Sequence, residues 1–342
     1  MAEATLRIEA AGAGVTLQDA GRHGYLRYGI TPAGPMDPLA FASANRALEN
    51  PPGATAIEVS LGGLSLSVAG APVDVALVGG GFRMSCDGRT FPGATALTLR
   101  PEAPLTIRAG PAGAWCYLAV AGRIAVPPVL GSTATHTRSG LGGLDGRALQ
   151  AGDALPVAEP RAAIGEPVIL SVPWLDRPPV PIRVVLGPQD DAFEPTALAA
   201  FFAASWRIGP RGDRMACFLE GDPIAARSHD IVSDGIAMGA IQVPGSGQPI
   251  VLMADRQPTG GYPKIATVIG ADLGRLAQAR AGDVVRFAAM SVAEAVAARR
   301  LAQEALTGCI IRHPLVRRDF SSEFLLSRNL VGGVVGPVDE AS

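Results

Sequence analysis

The stretch AIEVSLGGLSLSVAGAPVDVALV, residues 56–78, decides the fold. It holds three short runs of β-type residues, Ala56–Val59, Leu64–Val68 and Val73–Leu77, parted by Gly-Gly and by Gly-Ala-Pro. Such regular punctuation predicts antiparallel sheet. The pattern extends outward over most of Leu6 to Val120, with further runs at Ala96–Leu99, Leu105–Arg108 and Trp115–Val120. One helix is predicted to interrupt it. Asp37 can cap, Pro38 suits the first helical position, and LAFASANRALEN then continues until Pro51 and Pro52 forbid further helix. In the second half, strands are expected at Ile182–Leu186, Ala240–Val243, Ile250–Met253 and Val284–Phe287, with helices near Thr196–Trp206 and Asp272–Arg280. A last helix is signalled by Ser291 with Glu294 three residues on, a capping-box spacing, followed by AEAVAARRLAQEAL and by Gly308 as a terminator. It is expected to pack on the outside. The tail after it is too apolar for a disordered linker and is expected to dock on this chain or on a partner.

A short echo joins the two halves. ALQAGDALPV (148–157) and AQARAGDVVRF (277–287) both place Gly-Asp before a closing apolar run, as related domains would. The segment between Pro156 and Pro181 is proline-rich and reads as a connection. The expected organisation is a β-rich domain over residues 1–158, a linker over 159–181, a second β-rich domain over 182–290, and a helix with tail over 291–342. The fold class is mainly β with a few helices.

The composition narrows the function. In 342 residues, 29 Lys and Arg face 31 Asp and Glu, and there is no run of cations such as a phosphate backbone demands. Nucleic-acid and membrane partners are therefore not expected. No segment has the length of apolar sequence that spans a bilayer, and MAEATLRIEA does not resemble a signal peptide, so a cytoplasmic protein is expected. Cys86, Cys116, Cys217 and Cys309 form no CxxC pair and match no histidine spacing. They read as reduced, mostly buried thiols, and no metal site is expected. His23, His136, His229 and His313 are isolated, and neither a P-loop nor a GxSxG elbow is present. The glycine-rich runs GGGF (79–82) and GLGGLDG (140–146) lie between no clear strand and helix, and the second reads as a flexible loop rather than a phosphate cradle.

Two segments differ in texture, being dense in polar residues and glycine but flanked by apolar strands. LQDAGRHGYLRYGITPAGPMD (17–37) displays Gln18, Asp19, Arg22, Tyr28 and Asp37. In LMADRQPTGGYPKIATVIGADL (252–273), an apolar strand runs directly into Asp255, Arg256, Gln257, Thr259, Gly260, Gly261, Tyr262 and Lys264. Polar groups at a strand's end are well placed to meet a ligand. A bland reading also exists, since nearby Asp and Arg often form structural ion pairs and Gly-Gly-Tyr-Pro is good turn chemistry. Lys264 weighs against it. It is the one lysine in a chain whose other cations are all arginine, which suggests a position that needs a compact ammonium or an amine able to lose its proton.

These segments resemble one family. QDAGRHGYLRYGI(x)5MD, the N-x-A-x-x-N-P-P-G-A-x-A-I-E run at 45–58, LGPQDD(x)F at 186–193, GDRM at 212–215, SDGI(x)3AIQVP at 233–244 and QPIVLMADRQPTGGYPKIATVIGADL together resemble the allophanate hydrolase subunit 2, or biotin-dependent carboxyltransferase domain, family. That family includes the C-type subunit of the ATP-dependent 5-oxoprolinase and the carboxyltransferase part of urea carboxylase. The resemblance implies two cyclophilin-like β-rich domains with a ligand cleft between them. It also implies a subunit 1 (B-type) partner and, in an oxoprolinase complex, an A-type subunit of the LamB/YcsF kind. ATP would act through the complex, and carboxybiotin, where used, would arrive on a separate carrier, because no Met-Lys-Met attachment sequence is present.

For such chemistry Arg256, Lys264 and Arg22 are the candidates for holding an anion, and Asp255, Asp19 and Asp37 for base or orientation work. Gln18, Tyr28, Asn45, Arg214, Gln257, Thr259 and Tyr262 are candidates for substrate contacts, with Gly260 and Gly261 allowing close backbone approach. The implied activity is opening of the 5-oxo-L-proline lactam to L-glutamate. The alternatives are carboxyl transfer to urea or a related amide, and a non-catalytic regulator that binds a kinase inhibitor built like subunit 1.

Overall fold

The computed structural model describes residues 3–315 except Glu102 and Pro178. The fold is mainly β with four α-helices among the described residues, as the strand punctuation predicts. Two seven-stranded sheets come chiefly from the first half. One runs, edge to edge, through Arg123–Ile124, Ala154–Ala158, Ala4–Ala11, Leu64–Gly70, Leu105–Arg108, Arg83–Cys86 and Arg89–Phe91. The other runs through Thr16–Gln18, Ala56–Val59, Cys116–Val120, Val73–Val78, Thr95–Leu99, Val168–Ser171 and Ile311–Pro314.

Alternation along the strand Val73–Val78 explains how these sheets are filled. All six of its residues are buried, but Val73, Val75 and Leu77 enter the core that also holds Leu6, Leu66 and Leu105 of the other sheet. Ala76 and Val78 point the opposite way, as a period of two requires, and meet the helix α1 (Pro38–Ala47). The small residues Ala76, Ala96 and Ala119 let α1 lie close, with Phe41 edge-on to Tyr117 at 5.8 Å. Asp37 caps this helix through the Ala40 amide, and Pro38 stands at its start.

An eight-stranded sheet builds the second half: Val284–Val285, Trp206–Ile208, Ala216–Glu220, Ile250–Leu252, Ala240–Gln242, Lys264–Val268, Ile182–Leu186 and Phe287–Ala289. Its core gathers Val184, Trp206, Ile241, Val251 and Ile265, with Phe201 stacked on Phe287 at 5.1 Å. Phe201 comes from α2 (Pro195–Ala203), and α3 (Leu273–Ala277) closes the same core. Both helices are shorter than their sequence patterns predict. Ala204 is extended (ψ 153), so the chain leaves α2 in time for Trp206 to open a strand.

The sequence echo is also an echo in space. The Gly152 and Gly282 amides donate to the Ile8 and Ile208 carbonyls, and the Ile8 and Ile208 amides donate to the Asp153 and Asp283 carbonyls, each bond 2.8 Å long. Each aspartate also closes its own turn, accepting from Gln150 N or Arg280 N at 2.8 Å. The same Gly-Asp turn thus latches the last strands of each half onto an equivalent isoleucine.

Two expectations change, for the linker and for the cysteines, and the one for the last helix holds. The stretch 159–181 contains the strand Val168–Ser171, bound into the second sheet beside Thr95–Leu99, because its alternate apolar residues complete the core over α1. The last helix, α4 (Val292–Ala305), has the capping box and buries none of its residues, and the chain then returns to pair Ile311–Pro314 with Val168–Ser171. The rest of the tail lies outside the described residues. Finally, Cys86 and Cys116 are buried, but Cys217 is half-buried and Cys309 exposed. No helix among the described residues is long and apolar enough to cross a membrane.

Candidate functional site

A cleft of about 570 Å³ opens between the halves. Met36, Ser60, Trp115 and Arg138 line it from the first half, and Asp213, Arg214, Met253 and Asp255 from the second. At its base lies a chain of buried charges that joins three of the quoted motifs. Glu58, at the end of the NPPGATAIE run, sits in the strand Ala56–Val59 opposite Tyr117. Its carboxylate accepts from the Tyr117 hydroxyl (2.7 Å), from Met36 N (2.9 Å) and from Arg214 Nη1. Arg214, from GDRM, then reaches across to Asp255 of the ADRQ motif with a two-pronged contact, Nε to Oδ2 at 2.9 Å and Nη2 to Oδ1 at 2.8 Å. Backbone bonding fixes this alignment, since Asp255 N donates to Arg214 O and Met253 N to Met215 O.

Burial pushes the Glu58 carboxyl above its ordinary range, with Arg214 and the hydrogen bonds pulling it partly back. Burial also works against the charge on Arg214, but Glu58 and Asp255 outweigh it and hold the guanidinium protonated. One cation is therefore shared between two carboxylates, one from each half of the molecule.

The other predicted residues fall into three groups. The first motif is largely scaffold. Asp19 accepts from Gly21 N, Ser132 Oγ, Thr133 N and Thr133 Oγ1, and Arg22 donates to the carbonyls of Val129, Ser132 and Ala134, so both fasten the 129–134 loop. Arg22 Nη1 is buried without a hydrogen-bond partner among the described residues. Gln18 bonds Thr16, Gly34 N and Thr135 O, and Asn45 bonds Ala54 O and Asn50. Asp37 is committed to the α1 cap, to Arg177 and to Gln278. Of the three aspartates expected to serve as base, Asp255 is the one that lines the cleft.

The second group surrounds Lys264, away from the cleft lining. Its side chain is 3% exposed, and Nζ donates to Asp234 Oδ2 at 2.9 Å, which also accepts from Gln189 Nε2 at 3.2 Å. Gln189 in turn accepts from Lys264 N. Three motifs, LGPQDD, SDGI and GGYPK, thus meet here. Gly260 lets the Gln242 side chain lie close, since a Cβ there would stand 2.7 Å from Gln242 Nε2. Arg256 Nε binds the Ile236 carbonyl of the SDGI run at 2.9 Å, and burial lowers its pKa to about 10 against the pull of Asp255. The third group faces solvent: Gln257 and Tyr262 are at least partly open to it, Thr259 is exposed, Gly261 is half-buried, and Tyr28 is exposed with Arg27 over its ring at 4.8 Å.

Glu58, Tyr117, Asp234, Gln189, Arg138 and Asp213 are not among the residues expected from sequence. Glu58 carried a signal, a lone acid in an otherwise apolar strand. Asp234 and Gln189 lie within the SDGI and LGPQDD motifs, where sequence alone gives them no role. The 140–146 run is no flexible loop. It folds back through the bridge pairs His136–Leu141 and Leu144–Arg147, and a Cβ on Gly142 would stand 2.1 Å from the Ala134 carbonyl.

The Lys264 contact gives a test by pH. The hydrogen bond from Lys264, followed by those from Gly235 N and Gln189, holds the Asp234 carboxyl below its usual range. A depressed carboxyl stabilises the fold fully above its unfolded pKa of about 3.9, and that share is lost as pH falls through the folded value. The stability difference between wild type and Lys264→Met is therefore expected to be widest near neutrality and to narrow in acid. Urea denaturation at pH 7 and at about pH 3.5 measures it, and a gap that stays constant would mean the ammonium–carboxylate contact contributes nothing.

Residues 28–289 match the family model described as carboxyltransferase domain, subdomain A and B. The chain is 38% identical over 300 residues to the C-type subunit of Escherichia coli 5-oxoprolinase, covering 86% of this chain and 94% of that one. It is 31% identical over 310 residues to urea amidolyase of Saccharomyces cerevisiae, covering 84% of this chain and 17% of that one. Among solved structures, K. lactis urea amidolyase superposes with a TM-score of 0.81 at 26% identity, over 88% of this chain and 20% of that one. The chain belongs to the carboxyltransferase domain family, subdomain A and B.

Proposed function

We propose that this chain is the C-type subunit of an ATP-dependent 5-oxoprolinase complex, which opens the lactam of 5-oxo-L-proline to L-glutamate together with a subunit 1 (B-type) partner and an A-type subunit of the LamB/YcsF kind. The observation that carries the reading is the cleft between the halves, with Asp255 held at its base by Arg214. The near full-length similarity to the C-type subunit of 5-oxoprolinase supports the choice of substrate. Asp255 is fixed by both of its oxygens, so with Arg214 it gives the cleft a charged frame of set geometry in which a small amide can be oriented.

Residues of this chain do not fit an ATP phosphate site at the GGGF run. Gly81 N already donates to Ala112 O at 2.7 Å, and a Cβ on Gly110 would stand 1.7 Å from Gly81 O, so these glycines serve backbone packing. In this reading ATP acts through the assembled complex. Biotin would require a separate carrier, since Lys264 is buried and bound to Asp234.

Co-expression with the B-type partner, with and without the A-type subunit, tests the reading through glutamate release from 5-oxo-L-proline and ADP formation. Coupled release in the three-subunit assembly is expected. Carboxylation of urea with a biotin carrier would favour the carboxyltransferase alternative supported by the urea amidolyase similarity. Tight partner binding with no turnover in any combination would favour a regulator. In the same assay Lys264→Arg is expected to lose activity, because a planar guanidinium does not fit where a compact ammonium is enclosed, and full activity would remove any special role for the amine.

A further inference from the structure

Three of the five charged residues that line the cleft are spoken for. Arg214 is divided between Glu58, Asp255 and the Gly34 carbonyl, and Arg280 donates to the Gly113 and Gly110 carbonyls. Both Asp255 oxygens accept from Arg214. Two groups stand apart. Arg138 is exposed and has no hydrogen-bond or ion-pair partner among the described residues. Asp213 uses Oδ1 to accept from Met215 N (2.7 Å) and Ala216 N (3.2 Å), while Oδ2 has no partner among the described residues.

Arg138 is displayed from a stiff mount. It sits in the 3₁₀ turn Thr137–Ser139, which ends at Gly140 in the left-handed region (φ 60). His136 Nδ1 is paired with Ser139 Oγ at 2.9 Å, and the His136–Leu141 bridge closes the base of the turn. Asp19 and Arg22 fasten the 129–134 loop that leads into it. A rigid mount carrying an unpaired guanidinium at the wall of a cleft suits a ligand carboxylate, which the planar fork meets with two hydrogen bonds.

We infer that Arg138 anchors the carboxylate of an anionic substrate in the cleft, while Asp213 Oδ2 accepts a hydrogen bond from the substrate's amide N–H. The substrate class is then a compact amide or lactam that bears a carboxylate, as opposed to a neutral amide such as urea. The inference rests on the proposed function for the identity of the cleft as the active site, and it adds the basis of its selectivity.

The test uses the three-subunit assembly carrying wild type, Arg138→Lys or Arg138→Met. Loss of a charged hydrogen bond of this kind corresponds to roughly 10- to 100-fold. Arg138→Met is expected to raise KM for 5-oxo-L-proline by that factor, with Arg138→Lys recovering part of it. KM of the wild type should rise with ionic strength, and that of Arg138→Met should not. Calorimetric titration without ATP compares 5-oxo-L-proline with 2-pyrrolidinone, the same lactam without the carboxylate. Wild type is expected to prefer the anion, and Arg138→Met to lose the preference. If the assembly proves inactive, the oxoprolinase reading fails but the titration still decides the role of Arg138. Equal binding of the two lactams by wild type, or an unchanged preference in Arg138→Met, overturns the inference.

Discussion

Arg214→Met is expected to lose about 3–5 kcal/mol of folding stability, because it leaves two buried carboxylates without their shared cation. Glu58 is fully buried and Asp255 is 5% exposed. Glu58 would keep the Met36 amide and the Tyr117 hydroxyl, but neither supplies a charge. The variant therefore has a signature that simple loss of packing lacks. Burial already lifts the Glu58 carboxyl, and without Arg214 nothing of opposite charge restrains it. A carboxyl whose folded pKa exceeds the unfolded value of about 4.3 binds its proton more tightly in the fold, so stability rises as pH falls through the folded pKa. Urea denaturation should thus show Arg214→Met recovering part of its loss as pH falls from neutrality toward the unfolded carboxyl value of about 4.3. Adding Glu58→Gln should rescue the variant at neutral pH, since a neutral amide removes the unpaired charge. Strictly additive losses in the double variant, or a deficit independent of pH, would mean that the charges at the cleft base are not coupled.

How far the sequence reveals this molecule depends on whether a residue acts locally or across the chain. The strand Ala56–Val59, the cap and proline that start α1, and the Ser291–Glu294 box of α4 each rest on neighbours in sequence, and each appears where the pattern places it. The Gly-Asp echo likewise foretells a repeated latch, because a turn closes on itself before it closes on anything else. Site roles are less legible. Asp19 and Arg22 have the texture of ligand groups, yet their partners lie over 100 residues away in a loop whose sequence gives no hint of needing them. Arg138 shows the reverse. It borders a stretch that reads as flexible loop, and its prominence comes from what surrounds it in space: neighbouring charges already paired, and a backbone folded stiffly beneath it.

Asp37→Ala is the second change expected to have a large effect, at about 3–5 kcal/mol. The carboxylate caps α1, a contact worth about 1 kcal/mol by itself. It also holds Arg177 with two hydrogen bonds, of 2.8 and 2.9 Å, and accepts from Gln278 Nε2 at 2.9 Å. Removing one member of a largely buried ion pair typically costs more than the pair contributes, since the remaining charge is stranded, and the Arg177 side chain is 16% exposed. The consequence reaches the cleft through Gln278. Its Oε1 accepts from Ala114 N and Trp115 N while its Nε2 donates to Trp115 O, and both of those residues line the cleft. Asp37→Asn should cost less than Asp37→Ala, because an amide oxygen can still cap α1 and accept from Gln278. Gly274→Ala offers an independent approach to the same joint, since its Cβ would stand 2.3 Å from Asp37 Oδ1. Denaturation measures the loss, and hydrogen exchange should show faster opening at residues 114–115 in Asp37→Ala and Gly274→Ala alike. If Asp37→Ala stays within about 1 kcal/mol of wild type, with exchange at 114–115 unchanged, then Asp37 only caps a helix, and the fit of the two halves around the cleft depends on the Glu58–Arg214–Asp255 bridge instead.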